Sequence, residues 1–128
     1  MKIQTLGMDF TVCKVEAILP DYLNAPFCFI GKTDAEISLV CPTACAPHHT
    51  HARADGWRAF RISGELDFSL VGVLAEISAC LAREGISLFA VSTYNTDYVL
   101  IKKEKEAQAL RALRAAGYET DGDAGEDA

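Results

Sequence analysis

The sequence has little positive charge and no long apolar run. Its 128 residues include 12 Lys and Arg against 18 Asp and Glu, which gives a formal net charge of -6. The basic residues are scattered and form no stripe that would follow a phosphate backbone, so nucleic-acid binding is disfavoured. No apolar segment reaches the length of a signal-peptide core or a membrane-spanning helix. We therefore expect a cytoplasmic protein with no membrane partner.

Motifs that carry catalysis are also missing. The three histidines lie in one short segment, and no Ser or Cys occupies a nucleophile-elbow motif. There is no glycine-rich phosphate loop, and no two acids are spaced for general acid and base work. The sequence therefore predicts a protein that is not an enzyme and uses no cofactor.

The cysteine pattern argues against a disulfide framework, because five is an odd number and the expected compartment is reducing. Cys13, Cys28 and Cys80 lie in apolar runs and are predicted to be small core residues. The segment that most resembles a metal site is an inter-element loop containing Cys41, Cys45, His48, His49 and His51. Two prolines interrupt it, and its spacing is that of neither a structural nor a catalytic zinc site. We predict no metal here, with metal-dependent chemistry as an alternative.

The second half of the chain predicts the element order β-α-β-β-α-β. Apolar side chains alternate in the strands and recur every three or four residues in the helices, and Gly85 and Gly117 are predicted to end the helices. Asp67 or Ser69 is the predicted cap of the first helix, whose apolar face begins at Leu70. The predicted elements are a strand at 57–62, a helix to residue 84, strands at 86–91 and 98–101, a helix at 103–116 and a strand at 118–120.

The first half reads as a shortened copy of the second. Residues 27–40 align beneath residues 88–101 without a gap, so that Glu36 matches Asp97. Strands are predicted at 1–6 and 9–15, with a short helix at 20–24. The predicted fold class is α+β, with two fused ferredoxin-like βαββαβ units, the first abbreviated, and antiparallel sheets with helices on one face.

The predicted domains are an abbreviated N-terminal unit at 1–55, a complete C-terminal unit at 56–120 and an acidic tail at 121–128. The tail holds four acids and no apolar residue larger than Ala, so it cannot bury enough apolar surface to offset its ordering entropy. We predict that it is disordered.

Two strings resemble the ACT domain: GELDFSLVGVL at residues 64–74 and GISLFAVSTYNTDYVLI at residues 85–101. They are most similar to the tandem-ACT subgroup that includes aspartokinase regulatory domains and cytosolic arginine sensors. The string DAEISLVCP at residues 34–42 resembles small stand-alone bacterial members. The resemblance implies a regulatory or sensor protein that binds a small molecule, an amino acid, at the junction of ACT units and forms a homodimer.

The resemblance also implies a ligand-binding site. Its residues are Gly72, Val73, Thr93, Tyr94 and Asp97, with Ser87 and Leu88 on the facing strand. Backbone N–H groups at the start of the helix suit a carboxylate, and an acidic side chain suits an ammonium group. Where the arginine sensors have an acid in the first helical turn, this chain has Leu70, so arginine is not supported and an apolar or small amino acid fits at least as well.

Each of these residues also has a structural interpretation. Gly72 fits close packing of the helix, and Asp97 fits the closing of a hairpin turn. Thr93, Tyr94 and Ser87 fit ordinary sheet positions. The alternative function is therefore a structural or protein-interaction ACT domain that acts through dimerisation without a ligand.

Overall fold

The computed structural model describes residues 2–63 and 72–121 and divides the chain into two units. The C-terminal unit comprises Met1–Gly7 and Arg58–Ala128, and the N-terminal unit comprises Met8–Trp57. Strands β1 (Lys2–Val15) and β4 (Ala52–Ser63) contribute residues to both. The boundaries at residues 55 and 120 that the sequence suggests stay a prediction.

The C-terminal unit confirms the β-α-β-β-α-β order. After β4 come α1 (Val73–Arg83), β5 (Leu88–Ser92), β6 (Asp97–Lys102), α2 (Glu106–Ala115) and β7 (Glu119–Thr120). Its strands lie in the order β7-β1-β4-β6-β5. Strands β5 and β6 form an antiparallel hairpin in which Leu88 is opposite Ile101 and Ser92 is opposite Asp97.

Both helices of the C-terminal unit cover one face of its sheet. Each presents an apolar stripe because buried residues recur at helical spacing, as with Ile77 and Leu81 in α1 and Leu110 and Leu113 in α2. These side chains form one core with Ile3, Phe60, Ile62, Val99 and Ile101 from the strands. The predicted ferredoxin-like packing is therefore confirmed.

Strand β7 pairs with β1 in parallel, with Lys2 opposite Glu119 and Ile3 opposite Thr120. Asp121 continues this contact, because its carboxylate accepts a hydrogen bond from the Thr5 N–H at 2.9 Å and its own N–H donates to the Ile3 carbonyl at 3.2 Å. The first residue of the predicted acidic tail is thus bonded to β1. The remainder of that tail, residues 122–128, lies outside the described residues.

The N-terminal unit repeats the same order in a shortened form. Between β1 and β4 lie a 3-10 helix at Pro20–Asn24, the antiparallel strands β2 (Phe29–Lys32) and β3 (Ile37–Pro42), and a 3-10 helix at Thr43–Cys45. Short 3-10 helices thus stand where the C-terminal unit has α1 and α2. The strand order here is β2-β3-β1-β4.

The structure corrects several predicted boundaries. The two strands predicted at 1–6 and 9–15 are one strand, β1, which is held by β7 near its start and by β3 near its end. Strand β4 begins at Ala52 instead of residue 57, and a 3-10 turn at Lys103–Lys105 precedes α2. The predicted contributions of Leu70, Asp67 and Ser69 to the first helix lie outside the described residues.

The predicted loop rich in His and Cys is also corrected in part. Cys41 belongs to β3 and is 1% exposed, whereas Cys45, His48, His49 and His51 are exposed. Among residues 2–63 and 72–121, no group of three or more His, Cys, Asp or Glu side chains is arranged to hold a metal ion. No helix within these ranges is long and apolar enough to cross a bilayer.

Candidate ligand-binding site

The turn between β5 and β6 is closed by Thr93. Its N–H donates to the Thr96 carbonyl at 2.8 Å, and its Oγ1 donates to the same carbonyl at 3.0 Å. The same hydroxyl oxygen accepts a hydrogen bond from the Thr96 N–H at 3.3 Å. Thr93 therefore fixes the shape of the turn that carries Tyr94 at its tip, where the Tyr94 side chain is 82% exposed.

A buried hydrogen bond anchors this turn to the end of β4. The Thr96 side chain is 7% exposed, and its Oγ1 donates to the Ile62 carbonyl at 2.7 Å. A buried hydroxyl needs such a partner, because its desolvation would otherwise be uncompensated. The hairpin turn is thus held at the end of β4 that leads toward α1.

Helix α1 begins at this same end of the C-terminal unit. Only residues 84–87 separate its last residue from β5, and the Ile86 N–H donates back to the Leu81 carbonyl at 3.0 Å. The helix therefore ends beside the start of β5 and runs opposite to it. Its 11 residues rise about 16 Å, close to the length of a five-residue strand. The start of α1 consequently lies near the level of the hairpin turn.

The start of α1 presents backbone N–H groups. Gly72 occupies the N-cap with φ of 87°, and its carbonyl accepts the first helical hydrogen bond from the Glu76 N–H at 2.8 Å. Gly72 has no side chain to accept from the next amides, whose dipoles favour an anion. The Val73 side chain packs against the core, so only its backbone faces this position.

Asp97 lies on the helix side of the sheet. Side chains alternate between faces along β6, and Val99 and Ile101 belong to the core beneath the helices. Asp97 shares their face at the end where the hairpin turns. Its Oδ1 accepts a hydrogen bond from the Ser92 hydroxyl at 2.6 Å, between residues directly opposite in the ladder. The structure thus brings Asp97, Thr93 and Tyr94 to the same end of the unit as Gly72 and Val73.

Ser87 and Leu88 lie at the other end of β5. Ser87 is exposed just before the strand, and the Leu88 side chain packs against the core. Leu88 and Ser92 are four positions apart in extended chain, which corresponds to about 13 Å. Within one C-terminal unit, these two residues are therefore not brought together with the other five.

Sequence reasoning missed the hydrogen-bonding roles of Ser92 and Thr96, and it aligned the internal repeat one residue out of register. In the N-terminal unit the Thr33 N–H donates to the Glu36 carbonyl at 2.9 Å, as the Thr93 N–H does to the Thr96 carbonyl. Glu36 therefore corresponds to Thr96 and not to Asp97. The recurrence of Thr at positions 33 and 93 is the signal that would have given the correct alignment.

A family model described as the ACT domain matches residues 53–115, which carry the hairpin and helix just described. The chain carries an ACT domain. The resemblance inferred from residues 64–74 and 85–101 is thereby confirmed.

A relative of this ACT domain is the "Cytosolic arginine sensor for mTORC1 subunit 1" of Homo sapiens. The two are 32% identical over 66 residues, an alignment that covers 51% of this chain and 20% of the sensor. The mouse protein of the same name, from Mus musculus, is 34% identical over 93 residues, covering 67% of this chain and 28% of the sensor. The chain thus spans only between 20% and 28% of the length of these relatives.

Solved structures resemble the ACT chain over nearly its whole length. A crystal structure of a protein from Agrobacterium tumefaciens superposes with a TM-score of 0.84 at 26% identity, covering 93% of this chain and 90% of that one. The regulatory subunit of aspartate kinase from Thermus thermophilus superposes with a TM-score of 0.65 at 12% identity, covering 90% and 96%. The latter likeness supports the shared fold.

Proposed function

We propose that this protein is a non-catalytic regulatory module that binds a free amino acid where α1 begins and the β5–β6 hairpin turns. The observation that carries the proposal is the placement of Asp97 on the helix side of the sheet, at the end where α1 begins. An acidic side chain and a set of helix N-terminal amides match the two charged groups of an amino acid. Relatives named as an arginine sensor and an aspartate kinase regulatory subunit support the same role.

In this proposal the backbone amides at Gly72 and Val73 hold the α-carboxylate. Asp97, with the carbonyls of Thr93 and Tyr94, accepts hydrogen bonds from the ammonium group. We propose a small or apolar side chain for the ligand, because the sequence has Leu70 at the position that corresponds, by resemblance, to the acid of the arginine sensors.

Ser87 and Leu88 would enter the site only from a facing strand supplied by a second copy. We propose a homodimer for this reason, since their place at the far end of β5 separates them from the site of their own unit. Sedimentation equilibrium, with and without the ligand, measures this state directly, and a monomer under both conditions would leave these two residues without a role in binding.

A second candidate function is a structural ACT domain that acts through dimerisation alone. It is favoured by the hydrogen bonds that Thr93, Ser92 and Asp97 already make within the hairpin. These bonds would stabilise the hairpin whether or not a ligand binds.

A thermal-shift screen against the common amino acids separates the two functions. A ligand at 100 times its dissociation constant adds roughly 2.7 kcal/mol to the free energy of unfolding, which raises Tm by several degrees. We expect such a shift with at least one small or apolar amino acid at millimolar concentration. The absence of a shift with every amino acid would favour the structural domain.

A further inference from the structure

Three cysteine side chains lie on one face of the N-terminal unit. Cys13 and Cys41 are buried and Cys28 is half-buried, and all three are free thiols. They belong to one apolar cluster with Val15 and Leu39. The proposed function of the C-terminal unit gives these thiols no role.

Continued by one residue beyond the start of β2, the β2–β3 register places Cys28 opposite Cys41. In the β2–β3 ladder Phe29 is opposite Val40. In an antiparallel pair the residue before Phe29, Cys28, is then opposite the residue after Val40, Cys41. Cys28 packs in the same cluster as Cys41, as the alternation of faces requires.

The aromatic residue before Cys28 shows that this alignment continues. Phe10 is opposite Pro42 in the β1–β3 ladder, and the β2–β3 register extended to Phe27 places that residue opposite Pro42 on the other side. The rings of Phe10 and Phe27 are in contact, with centroids 5.9 Å apart. The contact puts the Phe27 ring across β3 from β1, on the side that the extended register requires.

The two thiols occupy a position whose geometry suits a disulfide. The Thr33 N–H donates to the Glu36 carbonyl at 2.9 Å, which marks these two as a hydrogen-bonded pair. Because bonded and non-bonded pairs alternate along the ladder, Cys28 and Cys41 form a non-bonded pair, the type whose Cα atoms approach to about 4.5 Å. Disulfides span Cα separations of roughly 4.4–6.8 Å.

The other cysteines of this unit are less well placed. Cys13 is opposite Leu39, so it is diagonal to Cys41, and diagonal positions are about 7–8 Å apart. Cys45 follows β3 in a 3-10 helix and is exposed. The continued β2–β3 register therefore favours Cys28 as the partner of Cys41.

We propose that Cys28 and Cys41 form a redox modification site, at which hydrogen peroxide closes a cross-strand disulfide. The Cys28 sulfur, the more accessible of the two, attacks peroxide, whose O–O bond breaks to give a sulfenic acid and water. The Cys41 sulfur then attacks the sulfenyl sulfur, so that the S–S bond forms and the S–O bond breaks. The thiol proton leaves with the departing hydroxide as a second water.

In the reduced protein the Cys28 and Cys41 thiols react slowly with oxidants. Burial, together with the neighbouring thiols of Cys13, Cys45 and Cys28, raises the pKa of Cys41 to about 12. Burial also raises the pKa of Cys28. Because the thiolate is the reactive form, the pair stays reduced against weak oxidants and closes under sustained peroxide. The disulfide would tie the edge strand β2 to β3.

Peptide mapping of the whole chain tests this site. The native protein is treated with millimolar hydrogen peroxide, its remaining thiols are alkylated, and it is digested and analysed by mass spectrometry without reduction. We expect one disulfide, joining Cys28 to Cys41, that dithiothreitol reverses. Cys28→Ala should abolish it, whereas the matched controls Cys13→Ala and Cys80→Ala should retain it at the wild-type yield.

The peptide map of the wild-type protein tests the Cys28–Cys41 disulfide even if a variant folds poorly. A disulfide joining Cys41 to Cys13 or to Cys45 would overturn the assignment. So would Cys28 and Cys41 that both remain alkylable, or that stop at sulfenic or sulfinic acid, after peroxide treatment of the folded chain.

Discussion

The carboxylate of Asp97 is the residue on which the two candidate functions disagree. Asp97→Asn removes the charge but keeps an oxygen that accepts the hydrogen bond from Ser92. If the carboxylate binds an ammonium group, the ligand-induced rise in Tm should disappear. The free energy of unfolding without ligand should change by less than about 1 kcal/mol, since the bond is exposed. Differential scanning fluorimetry with each amino acid that binds the wild type measures both quantities.

The N-terminal unit supplies a matched control for this substitution. Glu36 accepts a hydrogen bond from the Ser38 hydroxyl at 2.9 Å in the other hairpin, also exposed. Glu36→Gln should leave the ligand-induced shift at its wild-type size. If Asp97→Asn keeps the full shift, the ammonium contact is wrong, and if it unfolds the chain, Asp97 is a structural turn residue.

Gly72 offers a second test at the residue scale. Its φ of 87° is strained for any side chain, while an added Cβ would meet nothing within 4 Å. Gly72→Ala should cost roughly 1 kcal/mol and also weaken binding, because the methyl group would project beside the amides that hold the carboxylate. Thermal-shift titrations would give the change in Kd.

Gly85 at the opposite end of α1 controls for backbone strain. It has φ of 73° and equally open surroundings, so Gly85→Ala should lose similar stability with an unchanged Kd. Equal effects of the two substitutions on Kd would show that the loss comes from strain and not from the site.

Single residues also show where sequence reasoning reached its limit. Thr93, Tyr94 and Asp97 were predicted as site residues from the resemblance to the ACT domain, while the polar turn that holds them carries a local signal of its own. Ser92 and Thr96 were missed because their partners, Asp97 and Ile62, are set by strand register. A shift of one residue exchanges the faces of a strand, so an alignment one residue out of register assigns the wrong partner.

At the scale of elements, a side-chain hydrogen bond links the segment that follows α2 to α1. Tyr118 donates its hydroxyl to Glu76 Oε1 at 2.8 Å. Desolvation, followed by this hydrogen bond, raises the pKa of Tyr118 from 10.0 to about 12. Between these values the folded chain keeps a proton that the unfolded chain releases, so the contribution of Tyr118 to stability falls as pH rises through that window.

Tyr118→Phe isolates this effect. The wild type should be the more stable protein at neutral pH, and its advantage over the variant should shrink as pH rises from about 10 to about 12. Urea denaturation at a series of pH values measures the difference. Tyr94→Phe, which changes a ring that is 82% exposed, is the control. An advantage that stays constant across the window would contradict the linkage.

Elements were predictable to the extent that their signals are local. The helical stripes and the hairpin turn follow from apolar spacing and from polar residues between two apolar runs, and both were confirmed. The continuity of β1 was not predictable, because it depends on β7 and β3, which lie far from its ends in sequence. Tertiary pairing of this kind overrides local pattern.

At the scale of the whole molecule, the first residues of the chain belong to the C-terminal unit. Ile3 is 1% exposed and packs in the core formed by β4, β6, α1 and α2. More than 50 residues of sequence separate it from Arg58, where the rest of this unit begins. Strand β1, to which Ile3 belongs, also pairs with β7. The C-terminal unit therefore depends on a segment that the sequence assigns to the N-terminal half.

Ile3→Ala tests this dependence. Truncating a fully buried Ile removes its transfer free energy and leaves a cavity, which together cost about 2–5 kcal/mol. Urea denaturation should show that loss, and native-state hydrogen exchange should show it in the amides of α1, α2 and β6. Ile18→Ala is the control, because Ile18 is 43% exposed and its truncation should stay within about 0.5 kcal/mol of wild type. If Ile3→Ala accelerated exchange only within Met8–Trp57, the N-terminal strand would not support the ACT domain, since its core contacts would then carry no stability.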